Sequence, residues 1–307
     1  TECQLGFSAN ARNLEYIIRK LKYSPIAEAR RLSGLLYNRA KAVVPSLIIL
    51  SDPRAFKKQF GWEVSDGFLN NGREKLEKIS ARLVKKDGKS AAGPQVKLID
   101  YTKEADAAVI AALMYSSGRA SYSGCLKAAK KSAKGRRAFM KKFFKNFTAF
   151  DSMPRGFEAA DFTFEVIISA GAFAQLKRHR MMSLFKQPYD ISLGTRMPPS
   201  IEKTGLKKLF TGVMRASERA YSKIKGAKGR ATAEYALTNA HKRRLIVKSN
   251  LREVYHIARL RMDSHAQWDI RDVSADMVRK VKDSAPLTAA LACGKDTFND
   301  VYNSFMR

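Results

Sequence analysis

Cysteine is scarce: three in 307 residues, Cys3, Cys125 and Cys293, widely spaced and odd in number. No disulfide framework and no zinc spacing can be drawn through them, which implies a reducing, cytoplasmic setting and no metal centre. Long apolar runs are missing. None approaches the ~18–20 residues of a membrane span, and no secretory leader is recognisable. Acidic residues are outnumbered, 28 against 58 Lys and Arg, for a net charge of +30. That field draws polyanions and phosphorylated ligands to the surface and says nothing about fold. What is present is 45% hydrophobic and 10% aromatic residues. That suits a globular chain, with length for about two units.

Along the chain, apolar residues at helical spacing (Leu14, Ile17, Ile18, Leu21, then Leu32, Leu35, Leu36) predict two helices broken near Ser24-Pro25. A helical stretch at about 69–85 ends in the soft polar run KKDGKSAAGP, which reads as a linker. VKLIDY (96–101) reads as a strand leading to a helix in ADAAVIAALMY. Leu126 to Phe147 reads as a basic helix or helix pair, with Phe139, Phe143 and Phe147 as core. FTFEVIISA (162–170) is the strongest strand signal. From Pro199 onward the pattern reads as helical almost to the end.

The chain also echoes itself. NARNLEYIIRKL (10–21) aligns with NLREVYHIARLR (250–261), pairing Asn10 with Asn250, Arg12 with Arg252, Ile17 with Ile257 and Arg19 with Arg259. After one extra residue the match resumes, pairing Arg30 with Arg271, Ser33 with Ser274 and Pro45 with Pro286. Two helices in one order with shared polar landmarks suggest duplication; chance similarity of amphipathic helices is the competing explanation.

QLKRHRMMS (175–183), preceded by FEAADFTFEV (157–166) and followed by NLREVYHIARLRMDSHAQWDIR (250–271), resembles the flavin-dependent thymidylate synthase family, across about 95–290. A lone Arg-His-Arg is weak in so basic a chain; the three segments together are specific. The echo at 10–45 resembles the same closing helix pair, as in double-length members with two synthase-like lobes in tandem. The resemblance implies an α/β (α+β) fold, a small sheet packed by many helices. It implies a truncated first lobe at 1–49, a helical connector and linker at 50–94, and a second lobe at 95–307. It implies methylation of dUMP to dTMP with FAD, and NADPH and methylenetetrahydrofolate as co-substrates. Family members assemble as homo-oligomers, so a homo-oligomer or a partner lobe is expected.

Carried over by position, Arg178, His179, Arg180, Asn250, Arg252 and His256 would hold the flavin. Gln175, Arg178, Ser183 and Arg261 would hold the nucleotide, with Arg261 stabilising the ionised uracil. Arginine suits both ligands, because its planar fork of donors matches phosphates and carbonyl edges. The hard chemistry would be the cofactor's, so no protein nucleophile is needed. The chain departs from the family pattern at Phe185, Lys186, Pro188, Asp190 and Glu234, on the nucleotide side, and at Met153 and Ala159. Lys186, Arg196, Lys203 and Lys242 are alternative phosphate contacts.

Plainer readings stand beside these. Arg-His-Arg can be a solvated basic helix end, His256 a core histidine, Trp268 helix packing, Glu158 an orienter of an arginine, and Arg261 a surface partner of Asp263 or Asp269. The basic tract 125–145, with interleaved phenylalanines, reads either as a solvated helix face or as a surface of a synthase-derived lobe that binds RNA or another polyanion. The departures at Phe185, Pro188, Asp190 and Glu234 also leave open a flavin enzyme acting on another uracil-containing substrate.

Overall fold

Local punctuation explains the first helices of the computed structural model, which describes residues 6–64, 72–84 and 95–307. Asn10 accepts a hydrogen bond from the Asn13 N–H at 2.9 Å and so caps α1 (Ala11–Lys22), whose last turn carries Arg19, Lys20 and Lys22. A side-chain cap and cations at the C-terminal end both suit the helix dipole. α2 (Ala27–Ala40) follows the Ser24-Pro25 break, as expected. The buried Ser33 hydroxyl ties the pair together by donating to the Ile18 carbonyl at 2.7 Å. α3 (Pro53–Phe60) starts with proline in its first turn, capped by Asp52, and stops at Gly61 with φ of 78°. α4 (Gly72–Leu83) lies in the predicted helical stretch, and the expected linker at 85–94 lies outside the described residues.

By internal contacts the chain divides into two units. The first takes the described residues up to 84 with Lys223–Tyr235; the second takes residues 95–222 with Ala236–Arg307. The first has a small core of Ile18, Ala40 and Ile48. The second holds β1 (Val96–Tyr101), β2 (Asp161–Ser169), β3 (Ser183–Lys186) and β4 (Lys242–Asn250). Among the described residues these form one antiparallel sheet in the order β1-β2-β4-β3.

Between the strands run α5 (Ala105–Ser117), α6 (Tyr122–Lys130), α7 (Ala133–Phe144), α8 (Ala170–Leu176), α9 (Pro199–Lys203), α10 (Lys207–Lys228) and α11 (Arg230–Ala233). α12 (Leu251–Arg261), α13 (Trp268–Ser284) and α14 (Phe298–Met306) follow β4. This is the expected α+β class, a small sheet in a helix-rich chain. Phe162, Phe164, Val166 and Ile168 of β2 are fully buried at alternate positions, packed with Leu245 and Val247 of β4 and with residues of α5, α12 and α13. Phe139, Phe143 and Phe147 pack against this core, as read. No helix among the described residues is long and apolar enough to cross a membrane.

The expectation of helix from Pro199 nearly to the end is overturned by β4. Its sequence KRRLIVKSN buries Arg243, Leu245, Val247 and Ser249 and turns the intervening residues outward or leaves them half-buried. That is a period of two, obscured by cations at both ends. β3 also went unread, because four residues give too short a pattern to detect.

Candidate functional site

Three chain segments converge at one end of the sheet. β2 pairs with β4 so that Asp161 faces Asn250, which brings the short 3-10 turn Arg155–Ala159 beside the start of α12. α8 leaves the opposite end of β2, and β3 then pairs Ser183 with Lys248. The turn between α8 and β3, which holds Arg178, His179 and Arg180, is thereby delivered to the same end. Strand pairing that the sequence did not reveal is what assembles the site.

The resulting cleft has a volume of about 240 Å³. Arg178, His179, Arg180, Asn250, Arg252 and His256 all line it. Gln175, Ser183 and Arg261 do not: Arg261 donates from Nη1 to the Gln175 side-chain oxygen at 3.4 Å, and Ser183 is exposed at the start of β3. The residues assigned to flavin therefore stand together, and those assigned only to the nucleotide lie outside the cleft.

The Arg-His-Arg triplet splits by environment. His179 is buried, whereas Arg178 and Arg180 are exposed and make no ion pair among the described residues. The reading of the triplet as a plain solvated helix end fails at His179. Its Nδ1 lies 3.0 Å from a Glu253 carboxylate oxygen, and Arg261 donates from Nε to its Nε2 at 3.0 Å. Burial lowers the Arg261 pKa, helped by the charge of Arg178. Neither Asp263 nor Asp269 pairs with Arg261; Asp263 pairs with His265 and Asp269 with Arg196.

Other cleft arginines are committed to structure. Arg252 donates to the Met153 carbonyl at 2.8 Å and to Glu158 at 2.9 Å, and Arg259 to the carbonyls of Phe150 and Asp151. Glu158 also pairs with Arg155, and these bonds hold its carboxyl below the usual range. Glu158 thus orients arginines. Asn250 is the N-cap of α12, accepting from the Glu253 N–H at 2.9 Å, as Asn10 does for α1. His256 is exposed at the cleft and 5.2 Å, ring to ring, from His179, so it is no core histidine.

Glu253 was missed. Asn250 and Glu253 stand three apart, the spacing of a capping box, which assigns such a glutamate to its own helix start. The carboxylate turns to His179 instead. His179, Glu253 and His256 offer ligand atoms within 4.8 Å of one another, as a metal site would. Both His179 nitrogens are already engaged, and Arg178, Arg259 and Arg261 add positive charge, so a cation is disfavoured there.

One position departing from the family pattern, Asp190, has a structural use. Asp190 caps a 3-10 turn by accepting from the Ser192 N–H, and Tyr189 lies over the Arg243 guanidinium at 4.4 Å. Arg196 is held by Asp269 and Asp272 and sits 4.9 Å over Trp268, which gives that indole more than a packing role.

The family described as thymidylate synthase complementing protein matches residues 97–287. A UPF0159 protein of Thermoplasma acidophilum is 28% identical over an alignment of 317 positions, covering 97% of this chain and 57% of that protein. A UPF0159 protein of Chlamydia muridarum is 23% identical, covering 92% and 52%. A flavin-dependent thymidylate synthase of Geobacter sulfurreducens is 35% identical over 138 residues, 42% of this chain and 60% of that enzyme. The chain spans about half the length of the UPF0159 proteins it matches.

Proposed function

The chain belongs to the thymidylate synthase complementing protein family, and on that premise we propose that its cleft is the flavin end of a site that methylates dUMP. The observation that carries this reading is the gathering of Arg178, His179, Arg180, Asn250, Arg252 and His256 around one cleft. The donors fit an anionic, planar dinucleotide: Arg178 and Arg180 are exposed cations without ion-pair partners among the described residues. A volume of about 240 Å³ is below the ~300–1,000 Å³ usual for a drug-sized ligand. The cleft therefore takes part of FAD, and a partner lobe or second copy supplies the rest. A flavin, when bound, supplies the hydride that completes the methyl group. Arg178 and Arg180 neutralise the cofactor's charge, and Arg261, with Gln175 and Ser183, receives the nucleotide. NADPH and methylenetetrahydrofolate are the co-substrates this reading requires.

The test is the visible spectrum of the purified chain with FAD, before and after dUMP. A bound flavin band that moves on dUMP addition is expected. Arg178→Ala with Arg180→Ala should weaken FAD binding by about tenfold or more, the loss of one or two charge-assisted bonds. Absence of flavin binding, in this chain and in a longer tandem form alike, would sink the reading.

The first unit fits the same picture as the closing helix pair of a first synthase-like lobe, with 50–94 as connector and 95–307 as the second lobe. Asn10 and Asn250 cap α1 and α12 in the same way. Leu32 and Leu50 are 47% and 37% exposed, whereas Val273 and Leu291, their counterparts at the alignment offset, are 0% and 2% exposed. Apolar positions buried in the later copy await a covering layer in the earlier one.

A second reading, binding of RNA or another polyanion, is favoured by one surface. Lys127, Lys131, Lys134, Lys142 and Lys145 are exposed on and beside α6 and α7 with no acidic partner among the described residues. A shift of labelled RNA that weakens steeply with salt, in protein without flavin, would favour it.

A further inference from the structure

Glu253 has a place in the site that helix capping does not explain. Its carboxylate is buried, as is the His179 ring that it meets at 3.0 Å. On the far side of that ring stands Arg261, with Nε 3.0 Å from His179 Nε2. A guanidinium has donors and no acceptor, so this contact requires a lone pair on Nε2. An imidazole with Nε2 unprotonated carries its proton on Nδ1, which is the nitrogen that faces Glu253. The chain of donors then runs one way, from Arg261 to His179 to Glu253. An imidazolium, or the other tautomer, would set one N–H against another at Arg261.

We propose that Glu253 is a positioning residue that holds His179 as the Nδ1–H tautomer, so that His179 in turn fixes Arg261 at the boundary between the cleft and the nucleotide side. Asn250 sets Glu253 by accepting from its backbone N–H at 2.9 Å. His179 and Glu253 line the cleft while Arg261 does not, so the imidazole is the wall shared by the two ligand positions. The ligand roles rest on the function proposed above; the tautomer does not.

The test reads the tautomer directly, by long-range proton–nitrogen correlation on protein labelled with nitrogen-15 histidine and free of ligand. The native chain at neutral pH should show His179 with protonated Nδ1 and unprotonated Nε2; a protonated Nε2 overturns the proposal. Arg261→Ala removes the partner of Nε2 and leaves Glu253 in place. If Glu253 is the determinant, the Nδ1–H form persists in that variant. If the signal moves to the Nε2–H form preferred by a free imidazole, Arg261 alone set the tautomer and the proposal falls. Adding Glu253→Ala to Arg261→Ala should release the ring into a mixture; an unchanged tautomer there would equally overturn it. Because Arg261→Ala spares the buried carboxylate, the outcome does not depend on the double variant folding. Failure to bind flavin would count against the proposed function and leave this measurement intact.

Discussion

At the scale of single residues, the site sorts arginines into two kinds. Arg252 and Arg259 spend their donors on the 150–158 segment, whereas Arg178 and Arg180 are exposed with no ion-pair partner among the described residues. His256 sits among these charges. Desolvation lowers its pKa below the usual 6.5, and Arg259 and Arg261 push the same way against Glu253. A histidine with a depressed folded pKa favours its neutral form. Its contribution to stability is therefore complete above the unfolded value of 6.5 and is lost as pH falls through the folded value. A proton NMR titration of the ligand-free chain should place the His256 midpoint below 6.5, and FAD, which adds negative charge, should raise it. A ligand-free midpoint at or above 6.5 would contradict this account. The Arg-His-Arg order was legible in the sequence, but its division into two exposed cations around a buried imidazole was not, since adjacent residues in a turn give no burial pattern.

At the scale of elements, β4 decides most. It is central, pairs on both sides, and hands the chain to α12 at Asn250. Leu245 is fully buried on it. Leu245→Ala should lower stability by about 2–5 kcal/mol, the usual cost of emptying such a position. Urea unfolding measures this, and a loss well under 1 kcal/mol would mean that the strand is not the keystone described. β1, β2, α1, α2, α5, α6 and α7 were legible from the pattern of apolar residues. β4 was not, because its alternation places Arg243 among the inward-facing residues, where apolar residues are expected. Arg243 is tolerated there because Phe173 and Tyr189 flank its guanidinium at 4.9 and 4.4 Å.

At the scale of the whole molecule, the two helix pairs differ in what covers them. In the second unit α12 and α13 belong to a large core; in the first, α1, α2 and the 3-10 turn Ser46–Ser51 that follows them share a small core of Ile18, Ala40 and Ile48 and leave Leu32, Leu47 and Leu50 exposed. Leu32→Glu with Leu50→Glu should leave the stability of this chain within about 0.5 kcal/mol, as surface changes do. The same pair in a longer tandem form should cost several kcal/mol, about the loss of two buried leucines with charge added. Equal small effects in both, read by urea unfolding, would remove the case for a covering lobe.

The sequence by itself determined the charge, the helix pairs, the strongest strand and the family, because periodicity and contiguous motifs are local signals. Only the tertiary structure decided which of these residues meet. Antiparallel pairing of β4 with β2 and β3 carries positions 158, 179 and 253 to one end of the sheet. Burial there then turned Glu253 from a helix-capping residue into the partner of His179. A contact between residues 74 apart has no local pattern; it exists only once the sheet has formed and water has been excluded from around it.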